Sequence, residues 1–164
     1  MKFNVYTLII AIVLLSSCGM SAQHSNMHDG AMSMPTPNTQ ATPVAYLRNI
    51  ALIDPWARPG SKGDNSASYV VINNGGTADT LIGVRSDVAA SVELHTVENS
   101  NGMMQMKQVE GGIAVAENSI QALQPGGFHI MMIGLTRDLV AGDTFDITLT
   151  FATAGDVTIT FTVR

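Results

Sequence analysis

The chain has 164 residues, of which 46% are hydrophobic, 13% charged and 5% aromatic, with one cysteine and a formal net charge of −5. This length fits one domain of about 100–200 residues plus a tail. The single cysteine excludes a disulfide-stapled miniprotein, and the lack of long apolar runs excludes a transmembrane bundle. Because the chain is acidic and has no basic stripe, we expect no nucleic-acid partner.

The first 17 residues are typical of an export signal. An apolar run covers residues 5–15 behind Lys2, which is too short for a spanning helix of roughly 20 residues and is interpreted as a signal-peptide core. The segment Leu15-Ser16-Ser17-Cys18 follows and resembles the lipobox of bacterial lipoproteins. In that family the cysteine is lipidated and becomes the mature N-terminus. Residues 1–17 are therefore predicted to be a lipoprotein signal peptide.

Lipidation of Cys18 implies an exported protein on the periplasmic face of a bacterial membrane, attached through its lipid anchor only. Gly19 rather than Asp follows the cysteine, which by the same resemblance favours the outer membrane. The alternative is an ordinary cleavage site beside an incidental Cys18. We favour the lipobox because Cys18 is the only cysteine of the chain.

Residues 18–43 are predicted to be a flexible tether, since they mix Ser, Pro, Thr, Gln and Ala without a helical or strand period. The candidate auxiliary metal ligands of this tether are His24, Met27, His28, Met32 and Met34. Their density indicates a weak metal-recruiting segment. Chance composition in a linker explains it equally well.

Residues 44–164 are predicted to form an all-β domain. Short runs rich in Val, Ile, Thr and Leu alternate with Gly and Pro turn signals, a spacing typical of a β-sandwich or barrel. The predicted strands cover residues 67–73, 80–85, 92–97, 103–109, 119–123, 128–133, 144–150 and 157–163. About 120 residues suffice to bury a core without disulfides.

Alternation along residues 128–133 sorts their side chains onto two faces, because neighbours in a strand point to opposite sides. Phe128, Ile130 and Met132 are predicted to face the core. The other face then carries His129 and Met131, whose Cα atoms would lie roughly 6.5–7 Å apart. Both side chains could reach one ion from there.

The domain contains two histidines, His95 and His129, each inside a predicted strand. A single strand histidine is more often hydrogen-bonded or half-exposed than a metal ligand, and methionines are ordinary core residues. The combination is more informative, because every methionine of the domain lies in the strand after His95 or beside His129. These methionines are Met103, Met104, Met106, Met131 and Met132.

Imidazole and thioether donors together suit Cu(I), because thioether sulfur is soft and neutral. Zinc would normally take thiolates, imidazoles or carboxylates. Such a site would bind copper without deprotonating sulfur and would lose affinity in acid as the imidazoles protonate. Binding of Cu(II) is expected only if the tail supplies additional ligands.

The spacing of these residues resembles that of the PCuAC family of periplasmic copper chaperones, whose pattern is His, ten residues, Met, twenty-one residues, His, any residue, Met. Here ten residues separate His95 from Met106, and twenty-two separate Met106 from His129. Residues 54–59 resemble the family's Trp-Ala-Arg segment. Residues 123–131 resemble its Pro-Gly-Gly turn before the second ligand strand.

The resemblance implies a cupredoxin-like Greek-key β-barrel or sandwich that binds Cu(I) through His95, Met106, His129 and Met131. It also implies delivery of copper to the binuclear copper centre of cytochrome c oxidase or to another acceptor such as a second copper chaperone. A blue-copper electron-transfer centre is excluded because the folded domain has no cysteine.

The remaining methionines are assigned from the alternation. Met104 shares a face with Met106 and is an alternative ligand, while Met103 and Met132 are expected in the core. The spacing before His129 exceeds the family pattern by one residue. We place the extra residue at Gly111-Gly112, a turn where an insertion leaves the ligand faces unchanged; inside a strand it would flip every later side chain.

Two polar groups near the predicted site have ordinary explanations. Asp54, Trp56 and Arg58 are expected to form a strand-end turn in which the arginine packs over a partly buried tryptophan. Glu93 shares a face with His95 and either orients the imidazole or stands as an exposed carboxylate.

Function is predicted as a lipid-anchored copper chaperone without catalytic turnover. The alternative is a copper storage or resistance lipoprotein that sequesters copper without a dedicated acceptor, and a third hypothesis is a structural lipoprotein with a fortuitous His/Met cluster. An enzyme fits least, because the sequence has no Cys-x-x-Cys, nucleophile elbow or phosphate loop.

Overall fold

The computed structural model describes residues 37–100 and 102–164, and in these two ranges it contains strands and turns but no helix. The strands are β1 (Pro43–Leu47), β2 (Ile50–Ala57), β3 (Ser66–Asn74), β4 (Asp79–Arg85), β5 (Ala89–Ser100), β6 (Met103–Gln108), β7 (Ile113–Val115), β8 (Ser119–Leu123), β9 (His129–Leu135), β10 (Thr144–Phe151) and β11 (Gly155–Val163). The predicted all-β class is confirmed. The described residues include no helix suited to spanning a bilayer.

All eight predicted strands are present, with ends at most three residues from the predicted positions. The sequence prediction missed β1, β2 and β7. β2 was missed because Asp54-Pro55 is typical of a turn, yet the pair lies inside the strand at an irregularity between Ile53 and Trp56. An irregularity of this kind lets a strand carry a proline without losing a ladder hydrogen bond.

The strands form one continuous hydrogen-bonded sheet that encloses a single core. Its order is β6-β5-β9-β3-β2-β11-β10-β4-β7, with β1 added to β2 and β8 added to β3. β3 changes partners along its length, since residues 66–68 pair with β9 and residues 70–74 pair with β8. This change brings β9 and its neighbour β5 to one end of the sheet.

Side chains that alternate along the strands fill the core. Leu52, Ile72, Ile130, Met132 and Phe161 are fully buried, and each such side chain contributes about 1.5–3 kcal/mol relative to an exposed position. Burial of Ile130 and Met132 confirms the predicted core face of β9.

Met103 does not belong to the core, and its predicted burial was wrong. The residue is 63% exposed, because β6 lies at the end of the sheet and pairs only with β5. All residues of β6 are exposed. Alternation assigns a residue to a face but does not show whether anything covers that face.

The surroundings of Asp54 and Trp56 also differ from the expected strand-end turn. Asp54 has φ 50°, a left-handed backbone that costs an ordinary residue about 1–3 kcal/mol. Its carboxylate accepts two hydrogen bonds from the Arg164 guanidinium, at 2.9 and 2.8 Å. The same guanidinium lies over the Trp56 ring, 4.8 Å from its centroid. The arginine above the tryptophan is therefore Arg164 and not Arg58.

The Asp79 carboxylate ties β4 to the turn between β10 and β11. Its Oδ1 accepts from the backbone N–H groups of Thr80 (2.7 Å) and Thr153 (2.9 Å), and its Oδ2 accepts from that of Ala154 (2.8 Å). Partial burial acts to raise the pKa of Asp79, but these backbone donors outweigh it and the pKa is lowered. The ionised form is therefore the one that the fold stabilises.

Asp79→Asn should reduce the free energy of unfolding by about 1.5–3 kcal/mol at pH 7, because at least one hydrogen bond to a charged acceptor is lost. The folded pKa lies below the unfolded value of about 3.9, so this advantage of the wild type is complete above that value and disappears as the pH falls through the folded pKa. Urea unfolding between pH 7 and pH 2 measures the difference. Asp87→Asn, at an exposed carboxylate, is the control and should change little.

Candidate metal centre

The two histidines lie directly opposite one another on neighbouring strands. In the antiparallel pairing of β5 and β9, His95 is the register partner of His129, and the ring centroids are 5.9 Å apart with 54° between the ring planes. Residues directly opposite in a sheet share a face, and this one is opposite to the face of the buried Ile130. The pair thus lies on the face of the sheet that is turned away from Ile130, with His129 buried beneath its neighbours.

His129 is held by the turn that precedes β9. Its Nδ1 lies 3.0 Å from the Gly127 carbonyl oxygen, and the residue is only 4% exposed. Burial lowers the pKa of His129; the Gly127 hydrogen bond raises it, and nearby His95 lowers it further. Burial therefore favours the neutral form of the ring, which keeps a nitrogen lone pair for a ligand.

The sequence of this turn explains its conformation. Gly127 N–H donates to the Gln124 carbonyl oxygen at 3.1 Å, and Gly126 has φ 79°. Pro125 occupies the position where a type II turn favours proline, and Gly126 occupies the position that requires a positive φ. Turn chemistry thus sets the carbonyl that orients His129.

His95 is oriented by a carboxylate on its own strand. Its Nε2 lies 2.9 Å from Oε2 of Glu93, and Glu93 Oε1 accepts from the Ser91 hydroxyl at 2.9 Å. The His95 hydrogen bond first, and the Ser91 hydrogen bond second, lower the pKa of Glu93. Of the two interpretations of Glu93, the structure supports the one in which it contacts the imidazole.

Met131 is next to the histidine pair on the same face. It is two residues from His129 along β9, it is half-buried, and its register partners are Glu93 on β5 and Ala67 on β3. This is the neighbouring position that alternation predicted for an imidazole and a thioether.

Met106 lies on the other side of the pair. Its register partner is Val97, two residues from His95, so Met106 shares the histidine face, and the residue is 62% exposed. Met104 pairs with Asn99 one step farther out on that face. The longer spacing before His129 has therefore not flipped the ligand faces, and both Gly111 and Gly112 adopt positive φ in the turn after β6.

The register also separates the two methionines. Met106 and Met131 are two strands apart and offset by four residues, which in a flat sheet is roughly 10 Å across and 13 Å along the strands. To bring both sulfurs to one ion, the β5–β6 hairpin must bend toward β9. His129 and Met131 are two residues apart on one strand, and His95 is directly opposite His129.

Two aromatic residues border the site. The Tyr69 ring is 6.5 Å from the His129 ring and 4.4 Å from the Trp56 ring, centroid to centroid. Burial raises the pKa of Tyr69, although nearby Arg58 lowers it. Sequence reasoning noted Trp56 but missed Tyr69, because only the pairing of β3 with β9 brings it here.

The neutral donors at this face are two imidazoles and thioethers, while the Glu93 carboxylate is bonded to Ser91 and His95. Within residues 37–100 and 102–164, no three His, Cys, Asp or Glu side chains come together as a metal site. Imidazole with thioether is a donor set that suits a soft ion such as Cu(I). Six predicted residues, the lipidation site and the tail ligands, lie outside the described residues: Cys18, His24, Met27, His28, Met32 and Met34.

Sequence comparison relates the chain to a family of lipoproteins. Residues 50–163 match the family described as "Putative lipoprotein LpqE-like". A protein of Leifsonia xyli subsp. xyli, "Putative lipoprotein Lxx21020", is 30% identical over 116 residues, which are 71% of this chain and 70% of that protein.

Two solved structures share the fold. The copper-bound PCuAC domain from PmoF2 is 26% identical, with a TM-score of 0.62, over 73% of this chain and 96% of that domain. The Cu(I) form of DR1885 from Deinococcus radiodurans is 30% identical, with a TM-score of 0.55, over 77% of this chain and 81% of that one. The predicted resemblance and the cupredoxin-like fold are confirmed.

Gly126→Ala should lower the free energy of unfolding by about 1–2 kcal/mol, because an alanine is strained at a positive φ. Gly127→Ala in the same turn is the matched control. A Cβ at Gly127 would meet its nearest atom, Gln124 Cγ, at an ordinary 3.6 Å, so this variant should be much closer to wild type. Urea unfolding of both variants measures the difference, and equal losses would contradict the turn assignment.

Proposed function

The chain belongs to the LpqE-like lipoprotein family, and from this premise we propose that it is an extracytoplasmic copper chaperone, a carrier and not an enzyme. The observation that carries the proposal is the pairing of His95 with His129 across β5 and β9, with ring centroids 5.9 Å apart. The copper-bound relatives of the same fold support it.

Coordination of Cu(I) by His95, His129, Met131 and Met106 is the proposed arrangement. The two histidines and Met131 form its fixed part, since they share one face and two adjacent strands. Met106, on the exposed edge strand, is the movable fourth ligand, and Met104 is its substitute. Neutral donors leave the charge of the ion unchanged and favour a soft, monovalent metal over Zn²⁺.

Delivery requires that the ion be reachable by an acceptor. The histidines are largely buried, but the movable ligand lies on β6, an exposed strand whose other edge is unpaired within the described residues. We propose the binuclear copper centre of cytochrome c oxidase, or another copper chaperone, as the acceptor. An acceptor protein could then approach the ion from the β6 side.

Export and anchoring complete the proposal. The lipobox-like segment ending at Cys18 and the family relationship support a lipid-anchored protein on the periplasmic face, with the outer membrane favoured by Gly19. Residues 18–43 would be the tether that lets the copper domain move away from the membrane surface.

Copper storage is the second candidate function, and one observation favours it. Five His and Met residues are concentrated between positions 24 and 34, and such a segment would hold further ions, including Cu(II). Storage and delivery differ in stoichiometry, because a chaperone needs one transferable ion.

Competition titration with Cu(I) should give one tight equivalent for the domain site. His129→Ala and Met131→Ala should each weaken binding at least about tenfold, because each removes a donor atom. Met103→Ala is the control, since Met103 is an exposed methionine on the face of β6 opposite to that of Met106. Unchanged affinity in both ligand variants, with unfolding curves confirming that they fold, would contradict the proposed site.

The tail is tested by replacing its two histidines and three methionines, positions 24 to 34, with alanine in the full chain. A chaperone that uses the domain site alone should keep one tight equivalent and its affinity. A storage protein should bind more than one equivalent and lose the excess in this variant. The number of copper ions per protein after equilibrium dialysis distinguishes the two functions.

A further inference from the structure

Two consecutive hydrogen bonds orient His95 on β5; the three residues that form them are called the relay below. Ser91, Glu93 and His95 are every second residue of β5, so all three side chains point to the same side of the sheet. Ser91 Oγ donates to Glu93 Oε1, and Glu93 Oε2 is 2.9 Å from His95 Nε2. The relay uses both carboxylate oxygens and one of the two ring nitrogens.

The relay fixes the tautomer of His95. An ionised carboxylate only accepts hydrogen bonds, so the bonded Nε2 must carry the proton. A neutral ring with its proton on Nε2 has its lone pair on Nδ1. That Nδ1 atom is buried and has no hydrogen-bond partner among the described residues.

An unpaired buried acceptor is costly. Leaving such a group unsatisfied costs about 1–3 kcal/mol, and buried side-chain nitrogens in native proteins normally have a partner. His95 Nδ1 is the only buried side-chain N or O atom of the described residues in this state. A partner that is bound from outside would remove the penalty.

His129 has the opposite arrangement. A backbone carbonyl oxygen can only accept, so the Nδ1 that lies 3.0 Å from the Gly127 oxygen must carry the proton. In the neutral ring the lone pair is then on Nε2. The two facing rings therefore offer lone pairs from different nitrogens.

We propose that copper binds His95 through Nδ1 and His129 through Nε2, and that Glu93, supported by Ser91, is the positioning residue that fixes this choice. The inference rests on the proposed copper function and adds which atoms bind and what orients them. Glu93 acts through the ring and is not a ligand. A carboxylate behind a metal-bound imidazole holds its orientation and makes its lone pair a stronger donor.

The tautomers are tested first in the metal-free protein. Long-range ¹H–¹⁵N correlation spectra of histidine-labelled full chain should show the proton on Nε2 of His95 and on Nδ1 of His129. Glu93→Ala should convert His95 to a tautomer mixture. Glu93→Gln should retain the Nε2 proton, because its amide oxygen can still accept. Glu98→Ala, at an exposed carboxylate on the other face of β5, should change nothing.

The ligating atoms are tested with Ag⁺, a soft monovalent surrogate for Cu(I). The ¹⁵N shifts that move on silver binding should be those of His95 Nδ1 and His129 Nε2. A shift of His95 Nε2 instead would overturn the inference and leave the copper function standing. Silver that moves no histidine nitrogen would overturn the copper function and the inference with it.

Affinity supplies the third measurement. Glu93→Ala should weaken Cu(I) binding about 10–100-fold, the range typical for residues that orient a metal-bound histidine. Glu93→Gln should recover part of the loss, and Glu98→Ala should bind as wild type does. If Glu93→Ala changes neither the tautomer nor the affinity, Glu93 is not a positioning residue.

Discussion

The whole site depends on the register between β5 and β9. His95 and His129 meet because they are directly opposite in that antiparallel pair, and a slip by one residue would turn one of the rings into the core. The register is strongly specified, because the opposite face of the two strands carries the buried Leu94 on β5 and the fully buried Ile130 and Met132 on β9. Burial of these apolar side chains therefore sets the strand register, and the register places the two imidazoles opposite each other.

Each histidine is then fixed by a group from its own chain segment. The type II turn at Pro125 and Gly126 supplies a carbonyl oxygen for His129, and the alternation of β5 supplies Glu93 for His95. Neither contact needs a distant residue. A site built in this way can form as soon as two strands pair, and the methionines add to rings that already have defined orientations.

Local patterns in the sequence were sufficient for part of this structure. Period-two alternation predicted that His129 and Met131 share a face and that Ile130 and Met132 are buried, because strand geometry alone decides that. The resemblance to the PCuAC family rested on spacing, and the structural neighbours confirm it. The ligand set itself remains a prediction.

Features that depend on long-range pairing were not predictable in this way. Tyr69 reaches His129 only because β3 changes partner from β8 to β9, and Arg164 reaches Trp56 from the far end of the chain. Met103 was assigned to the core because its strand was known but its edge position was not. Local rules give the two faces of a strand, whereas exposure depends on what the rest of the fold places over each face.

The terminal position of β6 has a kinetic consequence. Its residues are all exposed and its backbone pairs with β5 alone, and segments of this kind open locally at a small fraction of the cost of global unfolding. Under the proposed coordination, fraying of this hairpin would withdraw one sulfur while the imidazoles stay in place. The dwell time of the ion would then be adjustable by changes in hairpin stability, at positions that never touch the metal.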